Sequence, residues 1–282
     1  MAERKKFVFK DIETPTDLVS FLKKKGGNHN YYYHYTNLDS FQKIINSGYW
    51  HISNGLKMND QQETQKGDYK RWEKLFMASF VYGEDENMAM WGLYSLPWTS
   101  AVRIMISKEA MKKWISETSK IYGVKNINDN IQYTEIVDSH FEIELTDVAY
   151  IGGKRLDANN RIQWNSDFFY TGAKPLMKNV SKNTEITGCL KNQAWQYENE
   201  TRIRIETQKH IDESQIAIKV PAYVINDIKI MKGPWFDCNM ENTLMNTGIN
   251  NRDFENSSFT GLVSYRKNCD FCDHCFVKKI KH

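Results

Sequence analysis

The stretch Tyr31-Tyr32-Tyr33-His34-Tyr35-Thr36-Asn37-Leu38-Asp39-Ser40-Phe41-Gln42-Lys43-Ile44-Ile45-Asn46-Ser47-Gly48-Tyr49-Trp50-His51-Ile52-Ser53 decides the fold class. Its opening aromatic run, Tyr31 to Tyr35, suits a pleated strand. Asn37 is placed to cap a helix whose Leu38, Phe41, Ile44 and Ile45 share one face, and Gly48 is its stop. Tyr49 to Ser53 returns to strand. No G-x-G-x-x-G turn follows a strand anywhere in the chain, so a doubly wound dinucleotide fold is not expected.

Outward from this unit the same alternation continues. Upstream, Thr14 to Asp17 starts a short helix carrying Leu18, Phe21 and Leu22, ended by Gly26-Gly27. Downstream, a polar loop from Asn54 to Asp60 and a charged helix through about Leu75 precede a strand at Phe76–Tyr82. Met88 to Tyr94 reads as a short helix, Ala101–Ile106 as a strand, and Lys108–Lys120 as a helix. Ile131–Val137 and Phe141–Ile151 alternate as strands, Glu185–Tyr197 reads as helical, and Glu200–Glu206 as a strand. Ala217–Val220, a turn begun by Pro221, and Ile228–Met231 complete the pattern. Strands outnumber helices, which predicts an α+β fold.

Composition narrows the setting. The 282 residues are 40% apolar and 26% charged, enough for a packed core. Thirty-eight basic against 35 acidic side chains leave a net charge of +3, which permits a nucleic-acid partner without demanding one. No apolar run approaches a membrane span, no signal-peptide core follows Met1, and the five cysteines are not spread as a disulfide framework. These features predict a cytoplasmic protein with no membrane partner. The phosphate-binding G-x-x-x-x-G-K-[ST] loop, the G-x-S-x-G elbow and H-E-x-x-H are all missing.

Five motifs remain, each with an ordinary structural reading beside its functional one. His34 can point into a cleft or be a polar edge residue among tyrosines. In the Asn54–Asp60 loop, Asn59 or Asp60 can cap the next helix, or Asn54, Asn59 and Asp60 can bond a ligand. Trp91 and Tyr94, three apart on a helix, can form a platform for a flat heterocycle or pack into the core. In Lys191-x-x-x-Trp195-x-x-Glu198-x-Glu200-x-Arg202-Ile203-Arg204-Ile205, strand alternation puts Glu200, Arg202 and Arg204 on the face opposite Ile203 and Ile205. That polar face looks at solvent, a cleft or a neighbour, and a surface ion-pair ladder is the ordinary reading. Finally, Cys269-x-x-Cys272-x-x-Cys275, completed by His274, Cys238 or His282, can grip one zinc ion or remain free thiols.

Taken in order, His34-Tyr35-Thr36, the Asn54…Asn59-Asp60 loop, Ser79-Phe80, Met90-Trp91-x-x-Tyr94 and Trp195-x-x-Glu198-x-Glu200-x-Arg202 resemble a bacterial domain family of unassigned function. That family occurs among phage abortive-infection proteins and is related to the ADP-ribosyltransferases of the His-Tyr-Glu type. Ile228 to Pro234 is similar to its last core strand. The resemblance covers roughly residues 30–235, leaving 1–29 as a helical extension and 236–282 as a C-terminal extension with the cysteine cluster.

The resemblance implies a split mixed sheet with flanking helices that binds NAD as substrate. It assigns catalysis to Glu200 or Glu198, with His34 and Tyr94, and favours Glu200 because it opens the strand directly before Arg202. NAD contacts would come from His34, Tyr35, Thr36, Asn54, Asn59, Ser79, Trp91 and Arg202, with Arg103, Arg202 or Arg204 meeting phosphate. A carboxylate beside the ribose suits this chemistry, since breaking the nicotinamide–ribose bond develops oxocarbenium-like charge. It implies a toxin or antiphage effector with an antitoxin partner and a macromolecular acceptor, RNA or DNA ahead of protein. A hydrolase passing ADP-ribose to water, or a nucleotide- or nucleic-acid-binding module without chemistry, would use the same fold.

Overall fold

The computed structural model describes residues 15–58, 63, 69–127, 130–137, 140–151, 154–156, 162–164, 186–249, 254–262, 264–266 and 275–277. In chain order its elements are α1 (Pro15–Gly26), β1 (Tyr31–Asn37), α2 (Leu38–Ser47), β2 (Tyr49–Asn54), α3 (Tyr69–Trp72) and β3 (Leu75–Val81). Then come α4 (Met88–Tyr94), β4 (Ala101–Ser107), α5 (Lys108–Glu117), β5 (Tyr122–Ile127), β6 (Asn130–Glu135) and β7 (Phe141–Asp147). The strands β8 (Ala149–Ile151), β9 (Lys154–Leu156), β10 (Ile162–Trp164), β11 (Leu190–Asn192), β12 (Glu200–Thr207) and β13 (Gln215–Lys219) follow. The last are α6 (Ala222–Asp227), β14 (Lys229–Lys232), α7 (Glu241–Met245), β15 (Phe254–Asn256), β16 (Ser264–Arg266) and β17 (Cys275–Val277). Antiparallel pairs dominate, with parallel pairs at β8–β11 and β14–β15, so the mixed sheet with flanking helices agrees with the α+β expectation.

The described residues fall into two compact units. One lies within Met1–Asn28, Ile52–Ser79 and Tyr122–Ile216, the other within His29–His51, Phe80–Ile121 and Ala217–His282.

In the first unit, β12 pairs with β3 on one edge and with β7 on the other, in a register running from Thr201↔Asp147 to Thr207↔Phe141. β2 pairs with β3 through Ser53↔Met77 and Asn54↔Phe76. α1 packs on β7: Gly26 lies so close that an added Cβ would sit 2.8 Å from the Asp147 nitrogen. Its last-turn lysines bind β7 too, Lys23 to Glu144 at 2.5 Å and Lys25 to Asp147 at 3.3 Å. Leu18, Val19 and Leu22 bury its apolar face against Ile186, Cys189 and Leu190.

In the second unit the strand order is β15-β14-β4-β1. Side-chain alternation gives the sheet two faces. Tyr32, Ile106, Ile104, Val102 and Ile230 share the apolar face and are buried, as are Met111 and Trp114 of α5. Tyr33, Tyr35, Arg103, Met105 and Met231 lie on the other. The caps are those the sequence predicts at α2: Asn37 Oδ1 accepts the Ser40 N–H at 2.8 Å, and Gly48 closes the helix at φ 69°. At α5 the cap is Ser107, itself held by Asp227 through Oγ and N–H.

Several expectations change. The 185–197 segment is no continuous helix: Leu190–Asn192 forms a parallel strand on β8, and Gln193–Glu198 is a 3₁₀ turn capped by Asn192 and ended by Asn199 at φ 44°. Backbone pairing with Ala149 and Tyr150 outweighs the local helix signal there. Tyr122–Ile127, unassigned from sequence, is a strand in a hairpin with β6. The 141–151 run is two strands, β7 and β8, and α5 stops at Glu117. No described helix is long and apolar enough to cross a membrane.

Candidate functional site

The polar face of β12 is where the structure departs most from the surface-ladder reading. Glu200, Arg202 and Arg204 are 2%, 0% and 3% exposed. Because β3 and β7 flank β12 on both edges, its polar side chains are shielded along the sheet as well as above it. Arg202 forks two carboxylates: Nη1 and Nη2 meet Glu63, while Nε and Nη2 meet Glu200 at 2.7 and 3.0 Å. Its Nη1 also donates to the Gly188 carbonyl at 2.8 Å. Lys191 Nζ bonds Glu198 at 2.5 Å and Glu200 at 3.3 Å, and lies 4.9 Å from the centre of the Trp195 ring. Ser79 Oγ–H donates to Glu200 Oε1 at 2.5 Å, and the Glu200 N–H donates to the Tyr150 hydroxyl at 2.8 Å. Glu198 and Glu63 are buried with them.

Three buried carboxylates thus share two buried cations, Arg202 and Lys191. Burial alone would push the Glu200 carboxyl up, but Arg202 and Lys191 outweigh it and, with the Ser79 and Arg202 hydrogen bonds, bring it down to about 2. The same cluster raises Lys191: burial opposes its charge, and Glu200 and Glu198 more than restore it against Arg202. Glu200 is therefore an anion at neutral pH. Its four acceptor positions are taken by Ser79, Lys191 and two nitrogens of Arg202, so it offers a reacting group negative charge first. Arg204 is spent on Glu144 and Glu206, and Arg71 forks Glu206 from its other side.

Asn54, also in this unit, does structural work: its Oδ1 accepts the Leu56 N–H at 3.0 Å and its Nδ2 donates to the Glu73 carbonyl at 3.0 Å. Asn59 and Asp60 lie outside the described residues, as do Cys269, Cys272, His274 and His282. Cys275 is described only as backbone in β17, and the Cys238 thiol is exposed. Among the described residues no group of three or more His, Cys, Asp or Glu side chains is arranged to hold a metal ion.

In the second unit, alternation along β1 sends His34 and Tyr35 to opposite faces. The His34 ring packs against Trp50 at 5.0 Å and Phe80 at 5.6 Å between centroids. Thr36 is buried on that face. Tyr35 meets the edge of Trp91 at 4.8 Å, and its Oη accepts the Asn87 N–H and Arg103 Nη1, both at 3.3 Å. Trp91 is fully buried, its indole N–H donating to Glu86 at 3.0 Å, whereas Tyr94 at the end of α4 is half-buried.

Of the sequence-named residues, the structure brings Glu198, Glu200, Arg202 and Ser79 into one cluster, and Tyr35 and Trp91 into another. Sequence reading missed Glu63, whose long-range pairing leaves no local pattern, and Tyr150, hidden in an apolar run. No protein-family profile and no curated protein matches the chain. Among solved structures it is similar to DarT of Thermus sp. 2.9, in complex with carba-NAD+, with 8% identity and a TM-score of 0.32 over 82% of this chain and 97% of that one.

Proposed function

We propose that this chain is an NAD-dependent ADP-ribosyltransferase in which Glu200 is the carboxylate that stabilises the ribosyl cation. The observation carrying this reading is the fixed, ionised state of Glu200 at the head of β12, backed by Arg202, Lys191 and Ser79. A charge held in place before the reaction needs no reorganisation when the cation develops. In the reaction the bond between ribose C1′ and the nicotinamide nitrogen breaks, nicotinamide leaves with the electron pair, and an acceptor oxygen or nitrogen bonds C1′. The acceptor's proton is released, so each NAD yields one nicotinamide, one modified acceptor and one proton. Lys191 and Arg202 hold the carboxylate in place and ionised.

The order of motifs supports the wider proposal. NAD contacts by His34, Tyr35, Thr36, Asn54, Asn59, Ser79, Trp91 and Arg202, a catalytic part for Glu198 and Tyr94, a nucleic-acid acceptor with RNA ahead of protein, and an antitoxin partner all rest on it. Zinc at Cys269, Cys272 and Cys275 stays a separate proposal, read by metal analysis of the purified protein.

A second reading, a nucleotide- or nucleic-acid-binding module without chemistry, is favoured by one fact: donors of this chain already occupy every acceptor position of Glu200. Incubating the protein and a Glu200→Gln variant with labelled NAD and separate RNA, DNA and protein pools decides between them. Label should move onto one pool with the intact glutamate and fall at least about a hundredfold with glutamine. Free ADP-ribose and nicotinamide alone would make it a hydrolase, and no turnover in any pool would leave the binding module.

A further inference from the structure

The buried arginines are partnered in two different ways. Arg202 and Arg204 are neutralised by carboxylates: Glu63 and Glu200 for one, Glu144 and Glu206 for the other. Arg103, on β4 and 5% exposed, makes only neutral contacts among the described residues. Its guanidinium carbon lies 4.4 Å from the Tyr33 ring centre and 5.7 Å from that of Tyr35. Its Nη1 donates to the Tyr35 hydroxyl and the Glu84 carbonyl, at 3.3 and 3.4 Å. Among the described residues the buried Nε has no hydrogen-bond partner, and Nη2 makes no hydrogen bond.

Nearby acids are placed otherwise. Glu84 offers its backbone oxygen while its side chain is exposed. The Glu86 carboxylate takes the Trp91 indole, the Ser257 hydroxyl and the Ser258 N–H. Glu255 is exposed on β15, two strands from β4. The phenols add no charge: burial pushes the Tyr33 hydroxyl up to about 12 and raises Tyr35 as well.

The result is a deficit of acceptors. Tyr35 Oη already accepts two N–H groups, so its own hydrogen points to a further acceptor that the described residues do not supply. Nε–H and Nη2–H form one edge of the guanidinium, a parallel fork matched to two oxygens of a bound anion. Stacking on tyrosine offsets part of the cost of burying the cation and leaves these donors unmet. A carboxylate would fill the fork with its two oxygens in one plane and leave the Tyr35 donor over. A phosphate brings a third oxygen out of that plane.

We propose that Arg103, together with the Tyr35 hydroxyl, is a binding site for a phosphate group. That the phosphate belongs to a dinucleotide rests on the transferase reading, whereas the site does not. The test titrates the full chain with pyrophosphate, ADP-ribose and acetate, followed by calorimetry and thermal unfolding. Pyrophosphate and ADP-ribose should bind and raise the melting temperature, and acetate should not. Arg103→Met should weaken both ligands about tenfold or more, Arg103→Lys less, and Tyr35→Phe, which keeps the ring, by several-fold. Failure of pyrophosphate to bind the natural chain, binding undiminished by both Arg103→Met and Tyr35→Phe, or equal binding of acetate would each overturn the site. Pyrophosphate is no substrate for transfer, so the two readings fail separately. Arg103-dependent binding without NAD turnover sinks the transferase alone, and turnover without pyrophosphate binding sinks the site alone.

Discussion

Glu63 illustrates how a single side chain acquires its meaning from the fold. In the sequence it is one of 35 acidic residues; in the structure it is 1% exposed and forks the guanidinium of Arg202. Removing one member of a buried charge cluster leaves its partner desolvated and under-compensated. Glu63→Ala should therefore destabilise the fold by about 3 kcal/mol or more, read as a lower urea midpoint with unchanged slope. A loss under about 1 kcal/mol would show that Glu200 and Gly188 alone satisfy Arg202. Asn54 is a second case: the sequence offered it only as a ligand contact, and in the structure its Oδ1 caps the turn that follows it.

At the scale of elements, β12 and the turn before it matter most. Alternation read the faces of β12 correctly, because side-chain period is a property of the strand itself. Exposure was another matter: whether a polar face meets water depends on what other segments lay over it, here Glu63, Gly188 and Lys191. The turn at Ile186–Cys189 presents a carbonyl to Arg202 through Gly188, whose φ of 78° is a left-handed conformation. A Cβ at Gly188 would stand 2.7 Å from Leu75 Cδ2 and 2.9 Å from Met77 Sδ. Gly188→Ala should cost roughly 1–3 kcal/mol by thermal or urea unfolding, and an unchanged midpoint would refute the tight approach. Replacing an exposed glycine such as Gly83, whose φ is 97°, probes the backbone strain without the crowding, since nothing lies within 4 Å of its Cβ position.

For the molecule as a whole, the buried and half-buried carboxylates set the response to acid. Burial raises Glu200, Glu206 and Glu86, and each is nevertheless held below the usual range. For Glu200 the lowering comes from Arg202 and Lys191, for Glu206 from Arg71 and Arg204, and for Glu86 from Ser257, Ser258 and Trp91. A carboxyl whose folded pKa lies below its unfolded value, near 4.5, stabilises fully above that value. The contribution is lost as pH falls from there through the folded value, about 2 for Glu200. Urea melts should give a stability that holds near neutrality and declines steadily below about pH 4.5. A midpoint that rises between pH 4.5 and 3 would contradict this arrangement.

What the chain declares by itself is local. Aromatic and β-branched alternation, the Asn37 cap and the Gly48 stop establish strands and helices, because these depend on neighbours within a few residues. The strand count was enough for a mixed fold of sheet and helices, and the motif order drew together Glu198, Glu200 and Arg202, which the structure places in one buried charge cluster. Only the tertiary structure decided that 190–198 is a strand and a tight turn, that the β12 charges are buried, and which arginines carboxylates neutralise. Each of those outcomes depends on pairing and charge compensation between segments far apart in sequence, which no local spacing encodes.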